Sequence, residues 1–225
     1  MQKLTGIRAC VFDAYGTVFD FASAAARCPD VPAAQRAALT TLWRDKQLQY
    51  TWLRTLQDRY VDFAAVTRDA LDFALETLGL PAELSTPLMA LYYKLDAFAE
   101  VPDMLHRLRA MGFSTAILSN GAPAMLDASI THAGLNGLFD AVLSVDSVKA
   151  FKTSPKVYQI AVDTLRVPAE AIAFQSSNGW DAYAASAFGM RVVWCNRYAQ
   201  RPERLPGKPD IEIKTLAELP ELLER

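Results

Sequence analysis

The stretch that decides the fold is Ile7-Arg8-Ala9-Cys10-Val11-Phe12, a mostly apolar run that passes directly into the turn Asp13-Ala14-Tyr15-Gly16-Thr17. The run has the length of a strand and lacks the strict alternation of a half-exposed one. Four more short apolar runs occur along the chain, at residues 113–118, 141–145, 171–175 and 191–195. Runs of this kind are typical of parallel strands that are covered on both faces.

Helical signals separate these runs. Pro102 is expected in the first turn of a helix that ends at Gly112. Thr215 and Glu218 have the spacing of a capping box and are expected to open the last helix. Because strands and helices alternate, the sequence predicts an α/β fold with a doubly wound, mostly parallel, Rossmann-like sheet.

The region from about residue 21 to residue 98 breaks this alternation. It contains no strand-like run, and its apolar residues recur with helical spacing, as at Leu39 and Trp43. We therefore predict two domains. The α/β core domain comprises residues 1–20 and 99–225, and residues 21–98 form a helical cap that is inserted after the first strand.

The composition argues against several classes of function. Lys and Arg number 23 and Asp and Glu number 25, so the net charge of −2 offers no basic field to nucleic acid or to an acidic membrane. The longest uncharged stretch, residues 110–126, is broken by a polar turn and a proline and is not a membrane span. No apolar signal region follows residues 1–6, and the three cysteines show no CxxC spacing. We expect a cytoplasmic protein.

Polar residues gather where the predicted strands end. Asp13 follows the first strand, Ser-Asn-Gly at 119–121 follows the second, and Ser-Ser-Asn-Gly-Trp-Asp at 176–181 follows the fourth. Lys152 precedes another helix. Each of these has an ordinary explanation when it is taken alone, as a turn, a cap or a surface lysine. Together they predict a site, because ligands of open α/β sheets bind beyond the carboxyl ends of the strands.

These segments resemble the four motifs of the haloacid dehalogenase superfamily. The turn at Asp13 resembles the first motif, whose aspartate is a nucleophile, and residues 119–121 resemble the second. Lys152 corresponds to the third motif and residues 176–181 to the fourth. Within the superfamily the resemblance is strongest to the L-2-haloacid dehalogenases, because Trp-Arg-Asp-Lys-Gln at 43–47 is similar to their cap signature. The match extends along the whole chain.

The resemblance implies metal-free hydrolysis of short 2-haloalkanoic acids to 2-hydroxy acids and halide, through an aspartyl ester on Asp13 and with inversion at C2. Lys152 would keep the nucleophile ionised, and Asp181 is the candidate base for ester hydrolysis. The implied catalytic residues are Asp13, Thr17, Arg44, Lys152, Tyr158, Ser176, Asn178 and Asp181, and the implied substrate-binding residues are Tyr15, Arg44, Phe63, Ser119 and Asn120.

The same resemblance assigns roles to several of these side chains. Ser119 and the backbone of Asn120, at a predicted helix N-terminus, would donate to an anion. Arg44 would receive the halide together with Asn120, and Phe63 would supply an aromatic wall. Tyr158 is expected to support the nucleophile or the motif-three lysine through its hydroxyl.

Residue types argue against phosphoryl transfer. Phosphatases of the superfamily carry a second aspartate where this chain has Tyr15, and they hold Mg²⁺ with acidic residues where it has Ser-Ser-Asn at 176–178. We therefore expect neither a metal nor a cofactor, and a small haloacid as the partner. Two alternatives remain: a Mg²⁺-dependent phosphatase or phosphonatase of the same superfamily, and a domain that binds a small carboxylate without turnover.

The resemblance also implies a homodimer, which is common in this family, and a preference for the L enantiomers of the 2-haloacids. The chain departs from the family in two places. Where the family often has Lys-Pro-Asp-Pro in motif three, this chain has Lys152-Thr153-Ser154-Pro155, so the aspartate is absent. Asp45 replaces a neutral glutamine and is near enough in sequence to pair with Arg44 and weaken its pull on a halide, which bears on substrate scope.

Overall fold

The computed structural model describes residues 3–224, so Met1, Gln2 and Arg225 of the predicted core domain lie outside the described residues. In chain order the strands are β1 (Ala9–Phe12), β2 (Phe19–Asp20), β3 (Asp96–Ala97), β4 (Ser114–Ser119), β5 (Ala141–Ser144), β6 (Ile172–Ser176), β7 (Arg191–Cys195) and β8 (Ile211–Ile213). The helices are α1 (Ser23–Arg27), α2 (Arg36–Leu56), α3 (Phe63–Thr77), α4 (Ser85–Tyr92), α5 (Val101–Ala110), α6 (Pro123–His132), α7 (Pro155–Leu165) and α8 (Gly179–Phe188).

Six of the strands form one parallel sheet in the order β5-β4-β1-β6-β7-β8, which confirms the predicted α/β class. All four residues of β1 are buried, as a central strand covered on both faces requires. Along the chain, β4 and β5 are added on one side of β1, and β6, β7 and β8 are then added on the other side. The topological switch point, where open α/β sheets bind their ligands, therefore lies at the carboxyl end of β1.

All five predicted strands are present, with ends shifted by one or two residues at most. The sixth, β8, was not predicted. It contains only Ile211, Glu212 and Ile213, and so short a run carries no periodic signal. It pairs with β7 at the edge of the sheet.

Helices α1 to α4 all lie between β2 and β3, which pair with each other antiparallel. The prediction that no strand occurs between residues 21 and 98 is therefore wrong at Asp96–Ala97, because a two-residue strand is too short to leave a pattern. The buried residues of α2 recur every fourth position, as at Leu39 and Trp43, and this face packs on α3. The division into a core domain of residues 1–20 and 99–225 and a cap of residues 21–98 remains a prediction.

The predicted helix signals have mixed outcomes. Pro102 lies in the first turn of α5, and Gly112 follows its end with a φ of +82°, where a left-handed residue is needed. The capping box of Thr215 and Glu218 is present. The segment that it opens, Leu216–Leu222, is a 3₁₀ helix rather than an α-helix, and it contains a proline, which removes a helical N–H donor. Within residues 3–224, no helix has the length and apolarity that crossing a membrane requires.

Candidate active site

Asp13 is the first residue after β1, and its side chain is almost completely buried. Its Oδ2 atom accepts hydrogen bonds from Thr17 Oγ1 at 3.0 Å, Asn178 Nδ2 at 2.7 Å and Ser176 Oγ at 3.3 Å. Its Oδ1 atom accepts one hydrogen bond, from Lys152 Nζ at 3.0 Å. Donors from two segments, the turn after β1 and the end of β6 with its following loop, therefore hold one carboxylate oxygen, whereas the other oxygen keeps free lone pairs.

Lys152 lies between two carboxylates. Its Nζ atom is 3.0 Å from Asp13 Oδ1 and 2.7 Å from Asp181 Oδ2, and its side chain is 1% exposed. Burial alone would lower the pKa of Lys152, but the two carboxylates outweigh it and raise the pKa above its ordinary value. The backbone N–H of Lys152 donates to Asn120 Oδ1 at 2.9 Å, which anchors this segment to the loop after β4.

Asp181 lies in the first turn of α8 and is completely buried. Burial raises the pKa of Asp181 to about 6; Lys152 opposes this shift and the charge of Asp13 adds to it. Tyr158 donates its hydroxyl hydrogen bond to Asp181 Oδ1 at 2.8 Å. The prediction that this hydroxyl supports the nucleophile or the lysine is therefore wrong, because α7 packs against α8 and brings Tyr158 to the carboxylate at the start of that helix.

The loop after β1 is tied to the loop after β6. Thr17 Oγ1, which donates to Asp13, accepts from the backbone N–H of Ser177 at 2.8 Å. Asn178 Nδ2 donates to the backbone oxygen of Tyr15 at 3.1 Å in addition to its bond with Asp13 Oδ2. The two loops therefore form one hydrogen-bonded unit. Ser177 contributes through its backbone, so its residue type gave no signal in the sequence.

Arg44 reaches this unit from α2. Its Nη1 atom donates to Gln47 Oε1 at 2.8 Å, and its Nη2 atom approaches the backbone oxygen of Tyr15 and Asn178 Oδ1 at 3.4 Å each. Asp45 is exposed, and within residues 3–224 it makes no ion pair with Arg44. The expected pairing is wrong, because neighbouring residues of a helix point in directions that differ by about 100°.

Gln47 was missed by the sequence reasoning. It is buried, and its Nε2 atom donates to Thr67 Oγ1 at 2.8 Å and to the Tyr92 hydroxyl at 3.2 Å. Its Oε1 atom is the acceptor that fixes Arg44. A signal was available, because Gln47 continues the four-residue spacing of Leu39 and Trp43 and thus places an amide on an otherwise apolar face.

Aromatic rings enclose the site. The ring of Phe63 is 5.3 Å from that of Tyr15 and 6.3 Å from that of Phe151, measured between centroids, and Tyr92 is 5.5 Å from Tyr15. The hydroxyl of Tyr15 is buried and has no hydrogen-bond partner among the described residues. Burial raises the pKa of Tyr15 well above its ordinary value, so the hydroxyl stays protonated and is available as a donor.

Ser119 and Asn120 are both buried, but they do not lie at a helix N-terminus as predicted. Helix α6 begins at Pro123, because Ala122 is extended and breaks the turn. Ser119 Oγ instead accepts the backbone N–H of Gly121 at 3.0 Å. In residues 3–224, no three His, Cys, Asp or Glu side chains are grouped as a metal ion would need.

A substitution at Gly121 tests the close packing around Tyr15. A Cβ atom there would lie 2.8 Å from the Tyr15 hydroxyl and 2.9 Å from Leu126 Cδ2, both too short. We expect Gly121→Ala to lower the free energy of unfolding in urea by about 1–3 kcal/mol. In the Tyr15→Phe background the clash with the hydroxyl is absent, so the same substitution should be less destabilising. Equal losses in both backgrounds would contradict this geometry.

Comparison with known proteins identifies the family. The haloacid dehalogenase-like hydrolase family matches residues 7–189. The (S)-2-haloacid dehalogenase of Pseudomonas sp. (strain YL) is 43% identical over 220 residues, covering 97% of this chain and 95% of that protein. A crystal structure of a dehalogenase with intermediate complex has a TM-score of 0.95 at 40% identity, covering 98% and 99% of the two chains.

A second structure is that of L-2-haloacid dehalogenase from Xanthobacter autotrophicus with chloropropionic acid covalently bound. It has a TM-score of 0.90 at 36% identity and covers 96% of this chain and 98% of its own. These matches extend over nearly the full length of every chain compared. The prediction from the sequence motifs is confirmed: the chain belongs to the L-2-haloacid dehalogenase family of the haloacid dehalogenase-like hydrolases.

Proposed function

We propose that this protein hydrolyses short L-2-haloalkanoic acids to 2-hydroxy acids and halide, with inversion at C2. The observation that carries the proposal is the asymmetry of the Asp13 carboxylate. Three donors immobilise Oδ2, whereas within residues 3–224 only Lys152 donates to Oδ1, which is the oxygen free to attack. The named activities of the relatives support the same reaction class.

In the first step, Asp13 Oδ1 attacks C2 of the haloacid from the side opposite the halogen. The new C2–O bond forms as the C2–halogen bond breaks, and the halide leaves with the bonding pair. Arg44 stabilises the departing anion. Its contacts with Tyr15 and Asn178 are long, at 3.4 Å each, so its guanidinium group keeps donors available for the halide. The product of this step is an ester between Asp13 and the substrate.

In the second step, water attacks Cγ of the esterified Asp13. Asp181 accepts a proton from this water, and the bond from Cγ to the substrate oxygen breaks. The released alkoxide takes up the proton held by Asp181 and leaves as the 2-hydroxy acid. The second proton of the water leaves Asp13 for solvent, which restores the Asp13 carboxylate. Tyr158 and Lys152 each hold one oxygen of Asp181, so the base is oriented before the water arrives.

The substrate's own groups match the remaining polar and aromatic side chains. We assign its carboxylate to Ser119 and Asn120, and the free hydroxyl of Tyr15 supplies a further donor. Phe63, buried beside Tyr15, is the wall against the short alkyl chain. No metal is needed in this scheme, because the ammonium group of Lys152 already occupies the space between the two buried carboxylates.

The direct test is halide release from L-2-chloropropionate, with and without EDTA. We expect release that the chelator does not change, and Asp13→Asn should reduce it by about 10⁴-fold or more because the nucleophile is lost. Asp163→Asn, at an exposed carboxylate on α7, is the matched control and should retain wild-type activity. Release that requires Mg²⁺, or substantial activity in Asp13→Asn, would overturn the proposal and lead to a phosphomonoester panel.

Asp181→Asn separates the two steps. Without the base the ester should persist, so the peptide containing Asp13 should gain the mass of the substrate minus HCl. In the wild type, a base must be ionised to act, so ester hydrolysis should slow as the pH falls, with a midpoint no higher than about 6 because that is the raised pKa of Asp181. Single-turnover decay of the ester measures this profile. If Asp181→Asn forms no ester, Asp181 is not the hydrolytic base.

We also propose a homodimer in the cytoplasm. Three free, buried cysteines fit a reducing compartment. Leu53 and Leu56, which are 44% and 83% exposed on α2, are an apolar surface that a second copy would cover. We expect Leu56→Glu to shift the dimer towards monomer in sedimentation equilibrium, whereas Val142→Glu, on edge strand β5, should not. A monomeric wild type would refute the dimer.

A further inference from the structure

Arg197 lies two residues after β7, outside every motif described above. Its Nη2 atom donates to the backbone oxygen of Thr17 at 3.0 Å, and its Nη1 atom is 2.5 Å from Glu100 Oε1. The guanidinium group lies 4.0 Å from the ring centroid of Phe98. The Arg197 side chain is only 10% exposed, so these contacts are shielded from water and from salt.

The contact with Thr17 leads to the nucleophile. Thr17 is held at both ends: Arg197 binds its backbone oxygen, and its hydroxyl group bridges Ser177 and Asp13. Movement of the Thr17 backbone would therefore move a donor of Asp13 Oδ2. Arg197 is thus two hydrogen bonds away from the attacking carboxylate, although it does not touch it.

The other contacts lie where helices α1 to α4 join the sheet. The chain leaves the sheet through the segment that contains β2 and returns through the segment that contains β3, and these two segments are the connecting passages. The N–H of Phe98 donates to the backbone oxygen of Val18 at 3.0 Å. Arg197 binds both passages, Thr17 on the outgoing side and Phe98 with Glu100 on the returning side. The position of these passages governs where Arg44 of α2 meets the nucleophile.

Arg197 also projects from a fixed base. Asn196 is buried, and its Nδ2 atom donates to Glu212 Oε1 at 2.7 Å and to the backbone oxygen of Gln200 at 2.9 Å. Its Oδ1 atom accepts the N–H of Gln200 at 2.8 Å. The turn after β7 is therefore anchored by side-chain hydrogen bonds. Only a planar guanidinium group binds two partners in fixed directions while stacking on a ring, which lysine does not reproduce.

We propose that Arg197 is a positioning residue for the formation of the aspartyl ester. It aims Asp13 through Thr17, and it fixes the two connecting passages so that Arg44 and Asp13 face the substrate together. This inference rests on the proposed function. Of the two steps, ester formation depends more on Arg197, because displacement at carbon needs in-line geometry. The second step depends on Asp181 with its partners Lys152 and Tyr158, none of which Arg197 contacts.

The test compares Arg197→Met with Arg191→Met. Arg191 is the first residue of β7 and forms an ion pair of 2.8 Å with Asp210, at the opposite end of the strand from the turn that carries Arg197. In single turnovers we expect Arg197→Met to slow halide release by about 10- to 100-fold. The decay of preformed ester should keep its wild-type rate, and Arg191→Met should change neither step.

Two further variants keep the inference falsifiable if Arg197→Met folds poorly. Glu100→Gln leaves the arginine in place but removes its ion pair, so it should slow the first step less than Arg197→Met does. Arg197→Lys should recover only part of the lost rate, because it keeps the charge without the planar fork. A merely structural role would instead lower the amount of active protein and leave both step rates unchanged, and that result would overturn the inference.

Hydrogen exchange supplies a readout that does not depend on activity. In Arg197→Met we expect faster exchange of the backbone amides at residues 14–19 and 96–98, whereas Arg191→Met should match the wild type there. If the wild type releases no halide from any haloacid, the proposed function fails while exchange still tests whether Arg197 holds these passages. If halide is released but neither exchange nor the first step changes in Arg197→Met, the inference about Arg197 fails by itself.

Discussion

The whole site depends on one buried ammonium group held between two buried carboxylates. Lys152 Nζ lies 3.0 Å from Asp13 and 2.7 Å from Asp181. Each such attraction is about 4 kcal/mol at about 4 Å and an effective dielectric near 20. Together the two carboxylates raise the pKa of Lys152 although its burial opposes this. Without the ammonium, two neighbouring carboxylates would repel, and one of them would take up a proton. The lysine therefore offsets the repulsion between two carboxylates that are both buried.

The fold delivers these three charges to one place because its strands are parallel. Asp13 follows β1, a central strand, and Asp181 lies in the first turn of the helix after β6, the neighbouring strand. Lys152 follows β5 at one edge of the sheet, two strands away from β1, and reaches inward because Asn120, at the end of β4, binds its backbone. The carboxyl ends of adjacent strands meet at one rim, so residues separated by more than a hundred positions form direct hydrogen bonds.

This parallel geometry explains why much was predictable from the sequence. Buried strands and the polar residues that follow them leave local patterns, so five strands, the family and the gathering of Asp13, Lys152 and Asp181 at one rim could be anticipated. The groups to which a side chain forms hydrogen bonds depend on the packing of elements that are distant in sequence. The bond from Tyr158 to Asp181 and the contacts of Arg197 are set in this way. Strand β8 was not predicted for a different reason: its three residues are too few to show a period.

In the proposed mechanism, the first step also changes the electrostatics of the second. In the free protein the charge of Asp13 is one of the causes that raise the pKa of Asp181. Once Asp13 is esterified, that negative charge is gone, and Lys152 has Asp181 as its only carboxylate partner. Both changes favour the ionised form of Asp181, so its pKa falls at the moment when a base is required. In this proposal, the loss of the Asp13 charge by itself favours the ionised base, and Lys152 interacts first with both carboxylates and then with Asp181.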